Sequence, residues 1–167
     1  MELRAEVAVN AQAEDAWVVV GGRFGEIGRW ASAITESVID GQPGAGRVRT
    51  CHVAGFGPIR SGVVKERLVT FDPVARSLSY EAGEGLPGFI LRAVSRWSVH
   101  PRPQGACTVR VNATVTLRPV ARLLAPVLRW RMRADTRRVL AELRHRVETG
   151  QPHPAKAAAL AGSQGRP

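Results

Sequence analysis

Lysine is almost missing from this chain: Lys65 and Lys156 stand against 22 arginines. Long apolar runs are missing too. None approaches the ~20 residues that a membrane-spanning helix needs. The opening residues Met1-Glu2-Leu3-Arg4-Ala5-Glu6 carry charge where a secretory leader needs an apolar block, so a cytoplasmic protein is expected. Aromatic residues make up only 5% of the chain and do not interleave with basic ones as base-stacking surfaces do, which argues against nucleic acid as a partner. The two cysteines, Cys51 and Cys107, lie in predicted strands and read as buried reduced thiols, with a disulfide left to geometry. His52, His100, His145 and His153 are scattered and lack metal-ligand spacing, so no metal is expected. There is no GxSxG, phosphate loop or GxGxxG, so neither a serine-hydrolase elbow nor a nucleotide cofactor is expected.

What is present is one domain's worth of chain. It has 167 residues, 44% of them hydrophobic, and a net charge of +10. The charge is not spread evenly. Residues 118–148 hold nine arginines against Asp135, Glu142 and Glu148, which is +6 of the +10. That bias fits a docking surface for acidic lipid, nucleic acid or an acidic carrier protein. It also fits a solvated helix face in a chain that uses Arg in place of Lys.

The apolar pattern gives the order of parts. Residues 3–9 alternate as a half-buried strand, with Leu3, Ala5, Val7 and Val9 on one side. Residues 13–20 and 24–31 read as two short helices, separated by Gly21-Gly22. Strands follow over 34–39, 47–53, 59–71, 76–82, 89–100 and 108–117. In the sixth of these seven strands Leu91, Ala93, Ser95, Trp97 and Val99 are expected on one face. Residues 120–148 then form one helix, roughly 40 Å long, with a stripe of Leu128, Met132, Val139, Leu140, Leu143 and Val147. Pro126 marks a kink or the true start of that helix. Residues 149–167 are Pro-, Gly- and Ala-rich without a period and read as a disordered tail. Consecutive strands on short turns pair antiparallel. The fold class is therefore α+β, a curved antiparallel sheet of about six to seven strands with helices on one face.

Several residues carry a resemblance. They are Ala16-Trp17 with Phe24-Gly25-Glu26-Ile27-Gly28-Arg29-Trp30, then Gly46-Arg47-Val48-Arg49, then Lys65-Glu66-Arg67-Leu68 followed by Phe71-Asp72 and Leu78-Ser79-Tyr80. With the order of elements they make residues 1–148 resemble the helix-grip superfamily of START and birch-pollen-allergen-like domains. The nearest type is the bacterial polyketide cyclase/dehydrase-like proteins. The resemblance implies a cavity between sheet and last helix that takes an apolar small molecule. It implies a gate loop at 54–58 carrying Phe56, faced by a loop at 83–88. The function it implies is a cyclase, aromatase or dehydratase of secondary metabolism, or a non-catalytic carrier of a lipid, quinone or similar metabolite. An acidic carrier protein could dock on the basic helix, and either a monomer or a homodimer is compatible.

Glu66 is the sharpest candidate for chemistry. It shares a predicted face with Val64, Leu68 and Thr70, and a carboxylate in an apolar cavity suits general acid or base work. On the opposite face it would be solvated and pair across strands near Lys65 or Arg67. Tyr80, the single tyrosine, could donate to a ligand carbonyl or be an ordinary core phenol. Trp30, Phe56, Leu68, Ser95, Trp97, Leu128 and Met132 are the expected ligand-contacting residues. Family register also suggests Asn112, but its own strand gives the apolar face to Val111 and Ala113. His52 competes with Cys51 and Val53 for its face.

Overall fold

Alternating apolar residues build seven strands, and all of them join one sheet in the order β1-β7-β6-β5-β4-β3-β2. The computed structural model describes residues 1–54 and 61–164. The strands are β1 (Glu2–Val9), β2 (Ile34–Ile39), β3 (Val48–Val53), β4 (Gly62–Asp72), β5 (Ser77–Glu84), β6 (Ile90–Pro101) and β7 (Cys107–Leu117). Every neighbouring pair is antiparallel, and from β2 to β7 the pairs are consecutive strands on short connections. The chain's first strand closes on its last, with Leu3 opposite Ala113 and Val9 opposite Cys107.

Two turns show how local chemistry sets the register. Between β4 and β5, Asp72 Oδ1 accepts from the Ala75 N–H at 2.8 Å, an Asx turn with Pro73 inside it. Between β5 and β6, Gly85 has φ +78°, and a Cβ there would meet the Val63 carbonyl oxygen at 1.7 Å. Only glycine allows that approach.

The helices depart from their predicted lengths for physical reasons. α1 (Ala13–Trp17) ends sooner than expected and continues as a π turn, Val18–Gly22, which absorbs Gly21-Gly22. A 3-10 stretch, Phe24–Arg29, follows. α2 runs Ala125–Thr149, shorter than the expected 120–148, and a 3-10 turn, Pro119–Leu124, leads into it. Pro126 has no N–H to give to the carbonyl four residues back, so regular α geometry starts beside it. Gly150 ends α2 in the left-handed region, with its N–H on the Arg146 carbonyl at 3.0 Å.

The tail departs most. Where the composition suggests disorder, residues Pro154–Gln164 form α3. Alanine is the best helix former, and Pro154 takes the first helical position, where its missing N–H costs nothing. His153 caps the end: its Nδ1 accepts from the Ala155 N–H at 3.2 Å. Lys156 then reaches back into the body, where it is 1% exposed and donates from Nζ to the Ile34 carbonyl at 2.6 Å.

The core lies on the helical face of the sheet. Trp17, Phe24, Trp30, Leu68, Trp97, Val109, Leu140 and Leu143 form its main cluster. The C-terminal half of α2 covers it, and the expected stripe of Val139, Leu140, Leu143 and Val147 faces it. A second cluster, Val115, Leu117 and Ala121, takes Leu128 and Met132 from the first turns of α2. Two bulges move residues from their expected faces. A register shift between Ile90 and Arg92 leaves Leu91 exposed, and one between Leu68 and Thr70 turns Thr70 outward and Phe71 inward.

Candidate functional site

β3, β4 and β5 lie side by side, and their register sets the site. Arg49 is directly opposite Glu66, Leu68 is opposite Tyr80, and Tyr80 is opposite Ser95 of β6. Glu66 therefore faces inward, as its strand's alternation suggests, but it does not face an apolar void. Arg49, only 2% exposed, spends its donors there. Its Nε gives to Glu66 Oε2 at 2.8 Å, its Nη2 gives to the same oxygen, and its Nη1 gives to the Phe24 carbonyl at 2.6 Å. Its guanidinium stacks on the Phe24 ring, 3.6 Å from the centroid, with the Tyr80 ring at 5.3 Å. Burial lowers the Arg49 pKa, but Glu66, Tyr80 and Cys51 around it together more than offset this, so the net direction is upward. The cross-strand alternatives are used elsewhere: Lys65 pairs with Glu84, and Arg67 donates to the Gly46 carbonyl.

Two neutral groups complete the cluster. The Cys51 Sγ–H donates to Glu66 Oε2 at 3.5 Å. Burial, then the Glu66 charge, push this thiol up to about 12. The same two causes push the Tyr80 phenol up to about 12. Tyr80 is thus a neutral hydrogen-bond donor at any ordinary pH. Both cysteines are free and buried.

Arg49, Tyr80, Phe24, Trp30 and Trp97 line one partly open pocket with aliphatic neighbours. Its volume is about 20 Å³, room for roughly one water. Pockets for small molecules run to several hundred Å³, so a guest of that size must displace lining side chains. Among the described residues the buried indole N–H of Trp30 in this wall has no hydrogen-bond partner, and that of Trp97 is directed at the Tyr80 oxygen. A buried donor without an acceptor carries a desolvation cost, which an oxygen placed in the space would relieve.

The other expected residues are distributed as follows. Leu68 is fully buried in the main cluster, opposite Tyr80 on the neighbouring strand, and does not line the pocket. Ser95 is half-buried. Leu128 and Met132 pack in the second cluster, with Val115 and Leu117. Phe56 lies outside the described residues. His52 and Asn112 are exposed on the outer face. Among the described residues no three His, Cys, Asp or Glu are grouped to hold a metal ion. The sequence reading missed Arg49 as a site residue. Its signal was parity: Arg49 is two residues from Cys51, so a buried Cys51 carries Arg49 to the same face.

Comparison with known proteins bears on this arrangement. A START superfamily protein from Mycobacterium smegmatis superposes with a TM-score of 0.72 at 20% identity, covering 90% of this chain and 99% of that one. The Zhui aromatase/cyclase of a Streptomyces species gives 0.69 at 18%, covering 92% and 99%. A protein of Thermus thermophilus gives 0.73 at 19%, covering 88% and 97%. These likenesses establish the helix-grip fold. No curated protein matches the chain in sequence. The family model described as "Polyketide cyclase / dehydrase and lipid transport" matches residues 1–148, nearly the whole of the sheet and α2. By that match the chain belongs to the polyketide cyclase/dehydrase and lipid-transport family.

Proposed function

We propose that the protein binds an apolar small molecule bearing a carbonyl or similar oxygen, with that oxygen at the donor cluster of Trp30, Trp97 and Tyr80. The observation that carries the reading is the buried indole N–H of Trp30, left without an acceptor among the described residues, close to the Trp97 indole and the neutral Tyr80 phenol. Family membership supports it, since the family's description joins ketide chemistry with lipid transport. In this reading Glu66 holds Arg49 in place, and Arg49 fixes the Phe24 and Tyr80 rings. Entry of the guest pushes aside the wall formed by residues 23–30.

A cyclase or dehydratase activity is the second reading. Donors aimed at a ketone oxygen would stabilise the enolate that forms in aldol closure. Glu66 would then have to leave Arg49 to take a proton. Its engagement by Arg49 and Cys51 favours the binding role over the catalytic one.

The test is native mass spectrometry of the purified protein, followed by titration with an aromatic ketone and its hydrocarbon isostere. The expected result is a co-purifying apolar molecule and a ketone bound about tenfold more tightly, or ~1.4 kcal/mol. Trp97→Phe should shrink that difference. Equal affinity for ketone and hydrocarbon would sink the proposal. Turnover of a poly-ketone that disappears in Glu66→Gln would move the assignment to the second reading.

A further inference from the structure

The lead-in to α2 has a composition unlike the rest of the chain. Between 118 and 134 there are five arginines, at 118, 122, 129, 131 and 133, and no carboxylate. The same stretch carries Val120, Leu123, Leu124, Val127 and Trp130, all exposed, with Leu123 at 89% and Trp130 at 71%. This is not a core face left uncovered. The inner side of the stretch is already packed: Ala121 is buried, and Leu128 and Met132 lie against Val115 and Leu117. The outer residues 120, 123, 127 and 130 are spaced at three and four, so they follow one side of the turning chain. Arg129, Arg133 and Arg137 border a surface groove together with Trp130. The other three tryptophans, Trp17, Trp30 and Trp97, are buried. At its start the stretch is tied to the rim of the sheet, where Arg118 Nε donates to the Gly88 carbonyl at 2.7 Å.

We propose that this face docks on an anionic membrane surface. Leu123, Leu124, Val127 and Trp130 enter the boundary between headgroups and acyl chains, while Arg122, Arg129 and Arg133 meet lipid phosphates. An element with an aliphatic and tryptophan side rimmed by arginines fits an interfacial position, and an exposed indole belongs at that depth. Arginine also matches phosphate geometry in two-pronged contacts. Charge alone would suit an acidic carrier protein. The exposed apolar row decides for lipid, because an acidic protein surface would leave it unsatisfied. The proposal does not depend on what the interior binds.

The experiment uses the full chain with vesicles of phosphatidylcholine alone and of phosphatidylcholine mixed with phosphatidylglycerol. Co-sedimentation measures binding, and tryptophan emission measures insertion. Two variants divide the contributions: Leu123→Ser with Trp130→Ser removes the apolar row, and Arg129→Glu with Arg133→Glu reverses charge. All four positions are exposed, and circular dichroism checks the fold. The expected result is partition onto the anionic vesicles with a blue shift arising from Trp130. Binding should weaken with added salt and fall about tenfold or more in either variant. No partition at low salt overturns the proposal. So does partition that the Leu123→Ser/Trp130→Ser variant keeps in full, which would be charge attraction alone. A dimer in sedimentation velocity with Trp130 shielded from a soluble quencher also overturns it, because a second copy then covers the face. Binding to an acidic protein without binding to vesicles does the same.

Discussion

Arg49 holds a positive charge inside a sheet, and that single placement organises its neighbours. Taking two charges out of water is costly, and the return depends on complete hydrogen bonding. Here Arg49 gives to Glu66 through two nitrogens and to Phe24 O through the third, and Glu66 also takes the Cys51 thiol. Breaking the pair from one side leaves a lone buried charge. Arg49→Met or Glu66→Gln should each cost about 3–5 kcal/mol, read from the urea midpoint at unchanged slope. The double variant Arg49→Met/Glu66→Leu should recover most of that loss. Additive losses would mean that the two side chains act separately. Tyr80 offers a direct readout because it is the single tyrosine. Its phenolate absorbance should appear near pH 12 in the folded protein and about two units lower, near 10, once the chain is unfolded. Ionisation at the ordinary value without unfolding would remove Tyr80 from the buried cluster.

At the scale of elements, β4 and its neighbours depend on backbone approach as much as on side chains. Gly85→Ala adds a Cβ at positive φ against the Val63 carbonyl. It should destabilise by more than about 1 kcal/mol, measured by thermal or urea unfolding; an unchanged midpoint would mean that the β5–β6 connection shifts freely. α3 is held by Lys156, whose pKa burial lowers and Glu142 partly restores. The sign follows from proton counting. Below the unfolded value of 10.5 the unfolded chain binds more protons at this site than the folded one, so its contribution to stability rises as pH rises through that window. Cys51 and Tyr80 act oppositely: their folded values are raised, so their contribution is complete below the unfolded values of about 9 and 10 and is lost toward 12. Lys156→Met should therefore lose stability by removing the anchor of α3 and leaving the Ile34 carbonyl without its donor, and the parent's advantage should grow as pH rises toward 10. A constant difference would mean that Lys156 is solvated.

For the molecule as a whole, the described residues leave little standing space beside the buried ion pair. With about 20 Å³ beside the ion pair, ligand entry is an opening event rather than a docking into standing space. Cys51 and Cys107 report such openings, because both thiols are buried and burial raises both pKa values. Their alkylation in the native protein should be slow and should follow the opening equilibrium. Mild denaturant should accelerate it in step with loss of stability. Fast labelling of Cys51 alone would mean that the β3–β4 region opens by itself. No helix among the described residues is long and apolar enough to cross a membrane.

The periodicity of the chain, by itself, determined the element order, the antiparallel sheet and the inward stripe of α2. These depend on spacing along one segment, and spacing is written in the sequence. The inward direction of Glu66 was legible for the same reason. Its partner was not. Arg49 meets Glu66 only once β3 and β4 are in register, and register is decided by turns, bulges and the core together. The two bulges that exchanged Thr70 for Phe71 and exposed Leu91 left no local signal either. Composition concealed α3, since its helix propensity becomes a docked helix only where Lys156 finds the Ile34 carbonyl. The small volume inside and the bare apolar row outside were likewise decided by tertiary packing. The first joins segments that lie far apart in the chain; the second lies in one short window, but only packing decides which of its apolar residues are covered.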